Sequence, residues 1–288
     1  MKDKELKEYD EETLKHLKEI ILEIFKDFVK ICEKYDLEYF ATGGTAIGAL
    51  RHNGFIPWDD DIDVNMLRED YNKFMEVAPK EMGDKYIFMD ASTQENYPLM
   101  FAKMVKRGTR FVEADYEQAS YPLGIFIDIF PYDKTPEDNV ARKKIIKKTW
   151  NIARWHVLTL IPNPNLPEGM NPVLKKLVSV AMRVIHAGLK LFHVTSKKTY
   201  KKYLDYATNC PEKDSDLYID YSYITGENLM IRKHEAWPLI DVPFEDTTVK
   251  VVKNYDSFLR KEYGDYMQLP PEEQRHNHLA SFIDFGEE

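Results

Sequence analysis

Residues 40–64, FATGGTAIGALRHNGFIPWDDDIDV, hold a Gly-Gly pair, a short helical segment, a Pro-Trp corner and a run of carboxylates. Within it Asp61-Ile62-Asp63-Val64 alternates acid with apolar. Strand side chains alternate between faces, so Asp61 and Asp63 share one face while Ile62 and Val64 enter a core. Two neighbouring carboxylates repel unless a cation stands between them. Paired hard oxygen ligands suit a divalent metal, Mg²⁺ first and Mn²⁺ as its substitute. The same period leaves Asp59 and Asp60 to shape the loop.

Upstream, Gly43-Gly44 lies between a strand-like run, Leu37–Thr42, and a helical turn, Thr45–Leu50. Glycines there let backbone approach a ligand, the helix start offers N–H groups to an anion, and Thr45 adds a hydroxyl. A phosphate cradle followed by metal carboxylates is what nucleotidyl or phosphoryl transfer requires. An EF-hand is excluded, because Val64 and Asp70 stand where its loop needs Gly and Glu. Asp128 in GIFIDIFP is the candidate third carboxylate, as metal ligand or general base, since a lone acid in an apolar strand must find a partner.

Outward from this stretch, apolar spacing predicts an amphipathic helix over 3–35 and a helix over 68–82. A strand is expected at Tyr86–Met89, and a hairpin of Leu99–Val105 with Arg110–Glu113 about Arg107-Gly108-Thr109. Residues 137–208 read as basic helices broken by IPNPNLPEGMNP. A strand pair near LMIRK, a TVKVV strand, a helix over 255–263 and an apolar tail, SFIDF, follow. Strands alternating with helices indicate a mixed α/β (α+β) class. The expected organisation is a core over 1–136 with an N-terminal helix, a basic helical insertion over 137–210, and a segment over 211–288 returning to the core.

The 288 residues are 43% hydrophobic and 13% aromatic, which excludes a disordered chain. Cys32 and Cys210 alone cannot build a disulfide framework or a cysteine zinc site. The charged start and the want of a long apolar run predict a cytoplasmic protein. Net charge is −9, yet residues 141–203 carry fourteen Lys/Arg against the single acid Glu168. With the apolar face of 173–192, that asymmetry predicts peripheral contact with the inner face of a membrane, or with an anionic acceptor. No nucleic-acid reader motif accompanies the charge, so no nucleic-acid partner is expected.

GGTAIGALRHNGFIPWDDDIDV, GIFIDIFP and EYGDYMQLPP with RHNH together resemble the LicD family of phosphocholine transferases, related to fukutin-type ribitol-phosphate transferases. The resemblance is close over 35–135 and looser over 225–280, and it implies a nucleotidyltransferase-like core. It implies Gly43 and Gly44 at the nucleotide phosphates, Asp61 and Asp63 on the metal, and Asp128 as third acid. It also makes Arg51 a phosphate contact, and places His52, Tyr263-Gly264-Asp265, Leu269-Pro270-Pro271 and His278 in matching motifs. The implied reaction moves a phospho-alcohol, phosphocholine foremost, from a CDP-activated donor to a hydroxyl of a glycan precursor, such as a teichoic acid or lipopolysaccharide, free or lipid-linked. A quaternary ammonium would sit on aromatic faces, for which Trp58, Tyr121 and Tyr223 are candidates. The residues alone leave three other functions open: a nucleotidyltransferase using a nucleoside triphosphate on a small molecule or RNA, a metal-dependent glycosyltransferase, and a non-catalytic membrane- or glycan-binding module.

Overall fold

The computed structural model describes residues 9–113, 120–166, 169–223, 226–277 and 280–286. Helix α1 runs Glu11–Tyr35; Asp10 caps it by accepting from the Thr13 N–H at 2.7 Å, with Glu11 and Glu12 favourable in the first turn. It stops at Asp36, which is left-handed at φ 53. The predicted residues 3–8 of this helix lie outside the described part.

The chain continues through β1 (Phe40–Ala41), α2 (Gly43–His52), β2 (Asp63–Leu67), α3 (Arg68–Met82), β3 (Tyr86–Met89), β4 (Ala102–Lys106), β5 (Arg110–Glu113) and β6 (Phe126–Lys134). Helices α4 (Asn139–Leu160), α5 (Pro172–Leu191) and α6 (Ser196–Ala207) follow. The remainder is β7 (Leu217–Ile219), β8 (Ile231–Arg232), α7 (Lys233–Ala236), β9 (Ile240–Phe244), β10 (Thr247–Val251), α8 (Tyr255–Tyr263) and β11 (Ala280–Asp284). The main sheet is ordered β1-β2-β6-β4-β3, with β7 on the far end of β6 and β8 on β7. Among the described strands of this sheet only β2 and β6 pair in parallel, so the class is mixed α/β as expected.

Two successive rows cross the three central strands. Val64, Ile129 and Ala102 are register partners and essentially inaccessible, and they join the core that α1 and α3 complete. One residue earlier on β2 and β6, and one later on β4, the row is Asp63, Asp128 and Lys103. Its side chains take the opposite face. That row is the floor of the site.

The expected hairpin about Gly108 does not form. Strand β4 has both edges occupied, by β3 and β6, and a strand has only two edges to pair. The chain still turns at Gly108, φ +81, but β5 pairs with β11, the SFIDF tail. Helices α4 and α6 build a second core with Met89, Tyr97, Tyr121 and Tyr221. His156 pins it, its ring nitrogens 2.8 Å from Thr199 Oγ1 and 2.8 Å from the Tyr97 carbonyl. Tyr121 is buried here, against Tyr97.

Where β2 meets α3, Arg68 donates to Asp133 of β6 from Nε at 2.8 Å and from a terminal nitrogen at 2.6 Å. Asp133 is 1% exposed. Removing one partner of such a pair strands a buried charge, so Arg68→Ala should cost about 3–5 kcal/mol. Urea unfolding checks this. A loss below about 1 kcal/mol would mean that Asp133 is stabilised without the guanidinium.

Candidate active site

The row Asp63, Asp128 and Lys103 opens into a cavity of about 420 Å³, which Asp59, Asp60, Asp61 and Glu113 also line. Asp128 reaches it because β6 runs parallel beside β2, and the Asp128 N–H donates to the Ile62 carbonyl at 3.0 Å. Lys103, 3% exposed, faces Asp128 at 3.0 and 3.4 Å and Glu113 at 3.3 Å. Burial pushes the Asp128 carboxyl above the usual carboxylate range, and Lys103 only partly draws it back. Six acids against one lysine give the cavity a surplus of hard oxygen donors, which fits a divalent cation. No group of three His, Cys, Asp or Glu side chains among the described residues is already gathered to hold an ion. The fit is therefore one of donor chemistry.

The wall above this floor is the start of α2, which begins at Gly43 itself, not after a Gly-Gly turn, with Thr42 as its cap residue. Gly43 has φ +55, a backbone region L side chains rarely adopt, and the Tyr263 hydroxyl lies 3.4 Å from where a Cβ would be. At Gly44 a Cβ would stand 2.4 Å from Asp59 Oδ2, so glycine is needed for that close approach. Thr45 turns inward, 3% exposed, and its hydroxyl accepts from the Asp63 N–H at 2.8 Å. It positions the acid strand and is not among the cavity-lining residues.

The preceding loop is held from outside. Lys18 of α1 donates to the carbonyls of Ile56 and Pro57 at 3.0 and 2.9 Å, and the Tyr9 hydroxyl bonds Asp60. Asp59 and Asp60 thus take part in the loop's own packing while facing the cavity.

A second cavity of about 650 Å³ adjoins the first, sharing Gly44, Ile56 and Tyr263 with it. Arg51 and Trp58 line this one. Arg51 donates to His52 Nε2 at 2.9 Å and to the Tyr266 carbonyl at 2.6 Å, tying α2 to the YGDYMQLPP segment. Trp58 carries the Arg275 guanidinium 5.1 Å from its ring centroid. His52 lines neither cavity, and burial followed by its neighbour Arg51 lowers its pKa. His278 lies outside the described residues.

A family model described as LicD/FKTN/FKRP, nucleotidyltransferase domain, matches residues 36–163, the span that holds both acid strands. The lipopolysaccharide cholinephosphotransferase LicD of Haemophilus influenzae is 30% identical over 286 residues, covering 92% of this chain and 96% of that protein. The chain belongs to the LicD family. The human ribitol 5-phosphate transferase FKRP is 25% identical over 122 residues, 42% of this chain and 21% of its own length. The resemblance carried by the sequence motifs is therefore a true relationship, and the family is one of phospho-alcohol transferases.

In this LicD-family chain, Lys103 and Glu113 were not singled out from sequence. The signal for Lys103 was present: a charge flanked on both sides by apolar residues in FAKMV, the same pattern that marked Asp128. The cavity's aromatic side was half-legible. Tyr223 was a candidate, and its ring lies 5.5 Å from Phe130, which lies 4.2 Å from Phe101. Tyr223 and Phe101 line the cavity. Tyr263, 43% exposed, has its hydroxyl pushed up to about 12 by burial and then by Glu262, Asp63, Asp59 and Asp61.

Proposed function

We propose that this protein transfers phosphocholine from a CDP-activated donor to a hydroxyl of a cell-surface glycan precursor, with Mg²⁺, or Mn²⁺ in its place, and a nucleotidyltransferase-like core. The observation that carries this reading is the in-register row of Asp63, Asp128 and Lys103 beneath the start of α2. Asp61 and Asp63 hold the ion. Bound there, it neutralises charge on the transferring phosphoryl group. The N–H groups at Gly43 and Gly44 face the donor's pyrophosphate, and Arg51 contributes positive charge from the adjoining cavity.

Lys103 already occupies Asp128, so we assign Asp128 the proton of the acceptor hydroxyl rather than a place on the metal. The acceptor oxygen forms its bond to the phosphorus as that proton passes to Asp128. The bond from phosphorus to the bridging oxygen breaks, and CMP departs.

Tyr223, backed by Phe130 and Phe101, offers an aromatic face beside the acids, and a quaternary ammonium suits both neighbours. That favours choline over ribitol or glycerol. Trp58 is a weaker candidate, since Arg275 already covers one of its faces.

Thermal unfolding with Mg²⁺ and CDP-choline, CDP-ribitol or CDP-glycerol tests the donor. CDP-choline should raise Tm most, and only with metal present. Equal shifts from all three would remove the choline assignment, and stabilisation by nucleoside triphosphates or sugar nucleotides alone would overturn the transfer reading. CMP release on adding an acceptor glycan then tests the reaction itself.

A further inference from the structure

Helix α5 has two apolar stripes where a surface helix needs one. At about 100° per residue, Val173, Leu177, Val180, Val184 and Leu191 fall within about 60° of each other. Each is between 52% and 74% exposed. The half-buried Val178, Met182, Ile185 and Leu189 centre about 140° away around the helix. That second stripe lies on the protein side, where His186 Nδ1 stands 2.7 Å from the Leu158 carbonyl of α4. The outer stripe is covered by nothing in the chain as described, and Phe192, the residue that ends the helix, is 79% exposed.

All four charged side chains of α5 are basic: Lys175, Lys176, Arg183 and Lys190. Their positions fall on the arc between the two stripes, on one side of the helix. We propose that α5 docks this protein on an anionic lipid surface, lying flat with its outer stripe in the acyl boundary. The 20-residue helix would lay about 30 Å of apolar edge along the surface, with the basic arc reaching headgroup phosphates. A contiguous exposed apolar row of this length marks an interaction face.

Charge decides between a bilayer and a second copy. An antiparallel pair of α5 helices along their outer stripes would bring both basic arcs to the same side, four cations against four, with no acid on either helix to offset them. Anionic headgroups neutralise the same arc. Crossing the bilayer is disfavoured by the fold. No single described helix is long and apolar enough to span, and α5 qualifies only with α6, bent 96° from it. Helix α6 is committed to the second core through Tyr200, Tyr203 and Ala207.

Co-sedimentation of the full chain with phosphatidylglycerol-containing vesicles, against pure phosphatidylcholine vesicles, tests the docking face. The protein should bind the anionic vesicles and lose binding at high salt. Leu177→Asp with Val184→Asp should weaken binding at least tenfold without changing Tm, because both positions are exposed. Each of Lys175→Gln, Lys176→Gln, Arg183→Gln and Lys190→Gln should weaken it up to about fivefold. Absence of binding, or binding untouched by these substitutions, would overturn the proposal. So would a dimer in sedimentation velocity that Leu177→Asp disperses, since a second copy would then cover the stripe. The lipid face stands or falls separately from the transfer reaction.

Discussion

Asp61→Ala should lower metal-dependent transfer by about 10³-fold or more while leaving the fold intact. Loss of a ligand removes several kcal/mol of charge stabilisation from the transition state, and each 1.36 kcal/mol is tenfold in rate. Asp61 is half-buried and lines the cavity, just ahead of β2 rather than within it, so its loss disturbs no ladder bond. Asp63→Ala should do the same, because in the proposed site the two share one ion. Isothermal titration with Mg²⁺ or Mn²⁺ should show the binding lost in both variants, and EDTA should reduce the unaltered protein to the same residual rate. Unchanged turnover in Asp61→Ala would remove the carboxylate pair from the mechanism.

Asp128→Asn should separate proton transfer from metal binding. The amide keeps the shape but accepts no proton, so kcat should fall about 10²–10⁴-fold. Metal affinity should stay within about threefold of the unaltered protein. A loss of metal binding as large as that in Asp61→Ala would make Asp128 a ligand instead. The pH profile gives a second reading. Burial raises the carboxyl's pKa in the folded protein, against the partial pull of Lys103, so the base form is lost at a higher pH than for an ordinary carboxylate. Activity should therefore decline as pH falls from neutrality toward the usual carboxylate range, and that limb should vanish in Asp128→Asn. Stability should change little, because Lys103 keeps Glu113 at 3.3 Å while a buried carboxylate is removed.

The helices were legible because their signal is local. The apolar positions of α1, its Asp10 cap and the Asn171-Pro172 start of α5 lie within a few residues of the turns they set. Asp61, Asp63 and Asp128 could be named for the same reason, as acids in apolar, period-two surroundings. Their neighbours could not. Whether Asp63 lies beside Asp128 depends on parallel pairing of β2 with β6, across more than sixty residues of chain. The expected hairpin at Gly108 failed on the same ground, since β4 was claimed on both edges by strands that the local pattern could not rank.

Thr45 and Gly44 show the same division at single residues. Sequence marked both for a ligand; the fold also uses the Thr45 hydroxyl to hold Asp63 and keeps Gly44 bare for the close approach of Asp59. The two stripes of α5 could be counted from its spacing. Which of them the protein covers depended on where α4 lay. By itself, then, the sequence determined the helices and the family and marked three acids as candidates, because periodicity and motif are carried by neighbours in the chain. The tertiary structure alone decided that the acids meet beside Lys103 and that one apolar stripe faces outward, because strand register and burial are settled by packing the whole chain at once.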